Sequence, residues 1–232
     1  RAFVARAWAE LRPPLWNPHQ YAGTAAWEDP QLAVVYPFRA LQALVAMFAD
    51  PLPLWAVEAE AWAHVALAAL GAAWLARGLG YRWSAAVLTG SVYGFGGYLV
   101  GYPVEQLAVL DTAAWLPIVM GGLVRATGAA SDRDRRRWAV LTGGAGGMLV
   151  LAGHPQTALY AAYLAGGWSV WTAVAGRRPR RLQPAVWSGL IAVGLSAIAW
   201  LPTAELTPWI DRSVAVADQR VGFSAGELGQ IV

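Results

Sequence analysis

The densest grouping of side chains able to do chemistry is Trp16-Asn17-Pro18-His19-Gln20-Tyr21, followed closely by Trp27-Glu28-Asp29-Pro30-Gln31. Asn-Pro and Asp-Pro fix turns, Gly23 frees a backbone position, and Trp16, Tyr21 and Trp27 carry amphipathic rings suited to a membrane interface. A loop constrained in this way holds a side chain still. Asp29 is the foremost acid, because Pro30 biases its backbone toward extended geometry and begins a turn that holds the carboxylate. A general base needs that rigidity, and His19 and Glu28 stand beside it as substrate-binding candidates. The plainer reading is an interfacial loop in which Asp29 accepts hydrogen bonds from the amides of its own turn.

A second grouping is Gly153-His154-Pro155-Gln156. His154 there is able to donate to a phosphate or move a proton, with Gln156 as a neighbouring substrate ligand; a hydrogen-bonded helix cap is the alternative. Further along the apolar sequence, Glu60 and His64 stand one helical turn apart on one face. Ionisable groups inside an apolar run are expensive and face a bundle interior or a watery cavity, so both are substrate-binding candidates. Glu58 lies about one turn into the run, near the interface. Glu105 and Asp111 flank the start of a later run, and Glu205 and Asp211 follow the last one. Arg39, in the segment before the first run, is a further substrate-binding candidate.

The elements that must position these groups are membrane helices. The 232 residues are 57% hydrophobic and 13% charged, against roughly 45–50% and about 25% in an average soluble domain. Six apolar stretches read as spans: Leu54 to Ala76, Ser84 to Tyr102, Leu107 to Val124, Trp138 to Gly153, Thr157 to Ala175 and Pro184 to Pro202. The fourth is short for a hydrocarbon core of about 30 Å. Gln31 to Ala49 contains Pro37 and Arg39 and reads as a broken amphipathic helix at the interface. The expected fold is all-α, a polytopic transmembrane bundle of about six spans over residues 54–202. Residues 1–53 form an outer loop with interfacial helices, and residues 203–232 begin a second outer segment.

Charge orients this bundle. The loops after the first, third and fifth spans hold eleven Arg and two Asp, a net of +9, while the rest holds six Arg and twelve carboxylates, a net of −6. The positive-inside rule makes the basic loops cytoplasmic and both long segments external. The protein is therefore expected in the cytoplasmic membrane, multi-pass, with its chemistry on the outer face and membrane lipid around it. The basic loops read as topology determinants and lipid-headgroup contacts. Glycine pairs Gly90/Gly94, Gly97/Gly101 and Gly143/Gly147 have the spacing that lets helices approach closely.

Several chemistries are excluded. With no Cys there is no disulfide scaffold, zinc-thiolate site or thiol nucleophile. All 17 basic residues are Arg, which removes the P-loop lysine, the Schiff-base lysine and Ser–Lys dyads. The pI near 9.5 reflects arginines clustered between apolar runs, so nucleic acid is not an expected partner. No cofactor is expected, and a divalent metal held by outer carboxylates is possible but has no motif behind it. The first residue is Arg, and the chain reads as a piece of a longer protein.

Five motifs, in order along the chain, resemble a known family. The run Pro14 to Pro37 (PLWNPHQYAGTAAWEDPQLAVVYP) resembles the first outer loop of YfhO-like bacterial membrane proteins. It is followed by Gly94-Phe95-Gly96-Gly97-Tyr98-Leu99, Ala114-Trp115-Leu116-Pro117, Ala152-Gly153-His154-Pro155-Gln156-Thr157 and Leu201-Pro202-Thr203-Ala204-Glu205-Leu206. The resemblance implies a C-type membrane glycosyltransferase that takes a sugar from a polyprenyl-phosphate carrier and transfers it to a cell-envelope acceptor outside the membrane. It also implies that the main catalytic base lies upstream of Arg1, with Glu205 in a family-like motif among the substrate-binding residues. Glu28 departs from the family pattern, which has a small residue before Asp-Pro-Gln. A transporter or flippase of envelope lipids, using Glu60, His64 and the glycine-rich helices as a substrate path, is the alternative reading.

Overall fold

The computed structural model describes residues 1–20, 22–101 and 106–209. Tyr21, Tyr102, Glu105 and Asp211 lie outside the described residues, as does most of the expected external segment 203–232. The described chain is mostly helical: α1 (Ala2–Ala9), α2 (Pro37–Ala46), α3 (Leu54–Gly78), α4 (Trp83–Gly94), α5 (Gly97–Gly101), α6 (Leu107–Gly128), α7 (Asp132–Leu151), α8 (Pro155–Ala175) and α9 (Gln183–Leu206). Between α1 and α2 a two-residue hairpin pairs Trp16 with Ala25 and Asn17 with Thr24, and a 3₁₀ turn covers Pro30–Leu32.

The long helices pack as a row, α4 on α3, α3 on α6, α6 on α7 and α7 on α9, with α8 laid against α6 and α1 against α2. Helix α6 is the centre, with 72% of its apolar window buried, against 17% for the segment that includes α9. The outward faces are apolar: Leu70, Leu88, Trp171, Val174 and Trp187 are all exposed. Soluble monomers rarely show such continuous apolar surface. Among the described residues three helical segments, Leu54–Gly78, Leu107–Gly128 and Pro179–Leu206, are long and apolar enough to cross a membrane.

The glycine pairs explain two of these contacts. A Cβ on Gly90 or Gly94 would strike Ala69 of α3, and one on Gly143 or Gly147 would strike Ile191 or Leu195 of α9. A Cβ on Gly97 or Gly101 would meet nothing among the described residues, so close packing does not require glycine at that pair there.

Two local readings need correction. The stretch Ser84 to Tyr102 is interrupted at Phe95–Gly96 between α4 and α5, where neighbouring glycines raise the conformational cost of a continuous helix. The short fourth stretch extends back to Asp132, because Ser131 caps the charged turn by accepting from the Asp134 amide at 3.0 Å. The stretch Gln31 to Ala49 is indeed broken, between the 3₁₀ turn and α2, which Pro37 opens at its first turn, and Arg39 within it is buried.

The ends of the bundle differ in character. At one end Arg125 of α6 stacks on Trp74 at 3.6 Å and donates to the Trp74 carbonyl at 2.9 Å, tying α3 to α6 beside the basic connections. At the other end lie the hairpin loop, the α7–α8 turn and the last turns of α9. Thr203 donates to the Glu28 carbonyl at 2.8 Å, Trp27 to the Ile198 carbonyl at 3.2 Å and Trp8 to the Val34 carbonyl at 2.9 Å.

Candidate functional site

Two layers make up the loop end of the bundle: a buried ionic network and an open cleft above it. Glu60 and His64, one turn apart on α3, face Asp111 in the first turns of α6 and Arg39 on α2. Arg39 grips both Glu60 oxygens, one of them at 3.0 Å, and also donates to Gln42. Gln42 donates to Glu60 at 2.6 Å. Arg1 donates to Asp111 at 2.7 Å and lies 3.6 Å from Glu60. Arg39, Glu60, His64 and Asp111 are each at most 4% exposed. The guanidiniums of Arg39 and the half-buried Arg1 answer the buried carboxylates of Glu60 and Asp111, which is what makes burying these charges tolerable.

An aromatic relay closes the network. Trp115 donates to the Tyr36 hydroxyl at 2.8 Å, and that hydroxyl is 2.6 Å from His64 Nε2. His64 Nδ1 lies 2.8 Å from the Glu60 carbonyl. A carbonyl only accepts, so Nδ1 carries the proton and Nε2 accepts from Tyr36. Phe38 packs over the imidazole at a centroid distance of 4.4 Å. Burial raises the Tyr36 phenol above its ordinary value, and burial, followed by the Arg1 charge, lowers Arg39 from its own.

Glu60, His64 and Asp111 are the group among the described residues whose ligand atoms approach closely enough to hold a metal, all within 4.8 Å of one another. The donor set suits a divalent cation. The arginines already neutralise the carboxylates, however, and both imidazole nitrogens are engaged. Asp111 Oδ1, 3.3 Å from His64 Nδ1, is the carboxylate oxygen here without a hydrogen-bond partner among the described residues.

The cleft of about 730 Å³ opens between the hairpin loop and the first turns of α3 and α6. Its polar lining is Arg1, Gln20, Asp29, Gln31, Glu58 and Gln106, over an apolar floor that includes Ala61, Leu107 and Ala108. Arg1 joins both layers. Asp29 caps the 3₁₀ turn, accepting from the Gln31 amide at 2.9 Å, so the own-turn use of this acid is present and its carboxylate also lines the cleft. Glu58 is exposed there.

The remaining candidates are dispersed. His19 lines a separate depression of about 530 Å³ with Arg6, Arg12 and Asp50. Glu28 points one buried oxygen that has no partner among the described residues. Glu205 is exposed near the end of α9. His154 caps α8, accepting from the Thr157 amide at 3.2 Å, and its own amide donates to Thr112 at 3.1 Å. Gln156 donates to Tyr160 at 2.7 Å. The turn preceding His154 packs directly on the loop: Gly153, at φ +97°, sits so close that a Cβ would lie 2.1 Å from the Pro30 carbonyl. Arg39 is bound to Glu60 and does not line the cleft, where the arginine is Arg1.

Asp111, Tyr36, Gln42 and Trp115 were not singled out as site residues from sequence. Asp111 was noticed as an acid near a helix start, but nothing in its neighbourhood along the chain points to Glu60. No family model, curated protein or solved structure matches this chain.

Proposed function

We propose that the protein is a membrane glycosyltransferase-like protein that takes a sugar from a polyprenyl-phosphate carrier and transfers it to a cell-envelope acceptor on the outer face of the cytoplasmic membrane. The observation that carries this reading is the open cleft holding Asp29, Glu58 and Arg1 at the mouth of apolar helices. Inverting transfer needs a carboxylate to take the acceptor hydroxyl proton and a cation to stabilise the departing lipid phosphate. Asp29 is the base of the proposal, Arg1 the phosphate ligand, and Glu58, Gln20 and Gln31 the sugar-hydroxyl partners. An apolar floor beside these groups suits a prenyl chain. The packing of the Gly153 turn on Pro30 supports the resemblance, since two of its motifs meet there.

The proposal takes the chain as crossing the membrane six times, with α4 and α5 sharing one crossing and the hairpin loop outside. Support comes from the Arg-rich connections, which fall at the end of the bundle opposite the loop. A transporter or flippase is the second reading, favoured by the buried ionisable cluster of Glu60, His64 and Asp111. Release of labelled sugar from a polyprenyl-phosphate-sugar by the purified protein supports the first. Intact donor, together with lipid movement across reconstituted vesicles, supports the second.

A further inference from the structure

At the end of the bundle away from the cleft, the α6–α7 and α8–α9 connections enclose a pocket of about 510 Å³ lined by Arg135, Arg177, Arg178, Arg180 and Arg181. Arg135 is paired with Asp132, and Arg181 donates to the Thr172 carbonyl at 3.3 Å. The guanidiniums of Arg177, Arg178 and Arg180 have no hydrogen bond or ion pair among the described residues. Arg177, at φ +50°, is the left-handed residue that ends α8, with the next amide, that of Arg178, donating to the Ala173 carbonyl at 2.9 Å. The following Pro179 opens a 3₁₀ turn that carries Arg180 and Arg181. Chain geometry thus gathers like charges that would otherwise spread apart.

The pocket does not stop at its basic rim. Arg135 and Pro184 also border a groove of about 500 Å³ between α7 and α9, whose walls are Val140, Trp187 and Ile191. Cations at the mouth of an apolar groove match a phosphate carrying a hydrocarbon chain, and planar guanidiniums pair with phosphate oxygens through two parallel bonds. One phosphodiester supplies a single negative charge. Three unpaired arginines beside two partly engaged ones call for more.

We propose that this pocket and groove form a binding site for an anionic phospholipid, with its phosphate on Arg177, Arg178 and Arg180, one acyl chain along Val140, Trp187 and Ile191, and a preference for a headgroup bearing two phosphates. Zwitterionic lipids lack the net charge to match the pocket, and free phosphate lacks the chain that fills the groove. The site is independent of the sugar-transfer reading, since it uses none of the cleft residues.

Native mass spectrometry of the detergent-purified protein, titrated with diphosphatidylglycerol, phosphatidylglycerol, phosphatidylethanolamine or inorganic phosphate, tests this. Diphosphatidylglycerol should be retained at one equivalent and phosphatidylethanolamine should not. In Arg178→Gln/Arg180→Gln the affinity should fall about thirty-fold, given that each cation near a lipid surface contributes on the order of a five-fold gain. Arg178→Lys/Arg180→Lys, which keeps the charge and the orienting signal, should lose less. Arg133→Gln/Arg137→Gln, on the same end but outside the pocket, should bind as the parent does. Equal loss in that control pair would reduce the effect to general surface charge and overturn the proposal. Full displacement of the lipid by millimolar inorganic phosphate would equally overturn it, leaving an ion site with no use for the groove.

Discussion

Asp29 has two demands on one carboxylate: it caps the Pro30–Leu32 turn and lines the cleft. Asn keeps an acceptor for the Gln31 amide but cannot take a proton, so Asp29→Asn separates the two roles. Folded yield should be unchanged and sugar transfer should fall about 10²–10⁴-fold, the usual contribution of a positioned base. Near-normal transfer with normal yield would remove Asp29 from the chemistry. His154 behaves differently, because its ring accepts from the Thr157 amide and only a neutral imidazole has a lone pair to offer. Burial holds its pKa below the ordinary value of 6.5. A base whose folded value is depressed contributes fully above its unfolded value and loses that contribution as pH falls through about 6.5 toward the folded value. His154→Asn should abolish this pH-dependent component of thermal stability while keeping the cap, whereas His154→Ala should lose on the order of 1 kcal/mol above about pH 6.5 and less as the pH falls and the parent's own cap is protonated away. Identical pH profiles for the parent and His154→Asn would show that the imidazole is not the group titrating.

Helix contacts set the next scale. Gly94 lies where a Cβ would be 2.6 Å from the Ala69 Cβ, while Gly97, three residues on, faces open space. Gly94→Ala forces α4 away from α3 and should destabilise by about 1–3 kcal/mol. Gly97→Ala should be neutral or stabilising by up to about 1 kcal/mol, since alanine is the better helix former. Equal melting shifts for the two would mean that α4 does not approach α3 as closely as Gly90 and Gly94 allow. Between α2 and α3 the decisive contact is the Arg39–Glu60 pair. Removing one member of a buried pair strands the other and costs about 3–5 kcal/mol, so Arg39→Leu and Glu60→Leu should each be severe. The double variant should lose clearly less than the two single losses combined. Additive losses in reversible unfolding would mean that the two side chains are not coupled.

For the molecule as a whole, apolar outer faces and an arginine-rich end define one axis. Tags inserted at Ala130 and Arg178 should report the cytoplasm and a tag near Thr24 the outside, as the charge distribution requires. Opposite reports from Ala130 and Arg178 would refute the six-crossing arrangement, because α7 and α8 together must return the chain to the side it left. The same axis puts the proposed sugar-transfer cleft and the proposed lipid pocket at opposite ends, so variants in one should leave the other's readout unchanged.

Much of this was legible along the chain. Hydrophobic runs about a bilayer long located the long helices, because backbone groups in an apolar surround must bond within their own segment. The Arg-bearing loops sorted to one end because charge is read locally, whereas the charged first turn that Ser131 caps carried no apolar signal and was not read as helix. Glu60 and His64 were recognisable as inward-facing from composition alone, since an apolar helix has no other tolerable place for them. What sequence left undecided was which distant groups answer them. Asp111 and Arg39 lie far from Glu60 along the chain, and their pairing depends on how α6 and α2 pack on α3. The burial of Arg39 was not legible because a per-residue scale prices a lone arginine, whereas here Glu60, Gln42 and Asp111 surround it. The break between α4 and α5 and the docking of Gly153 on Pro30 likewise follow from close approach in three dimensions. Local pattern fixes which segments are helical and which end is basic; only long-range packing decides which charges neutralise one another and which remain facing a cleft.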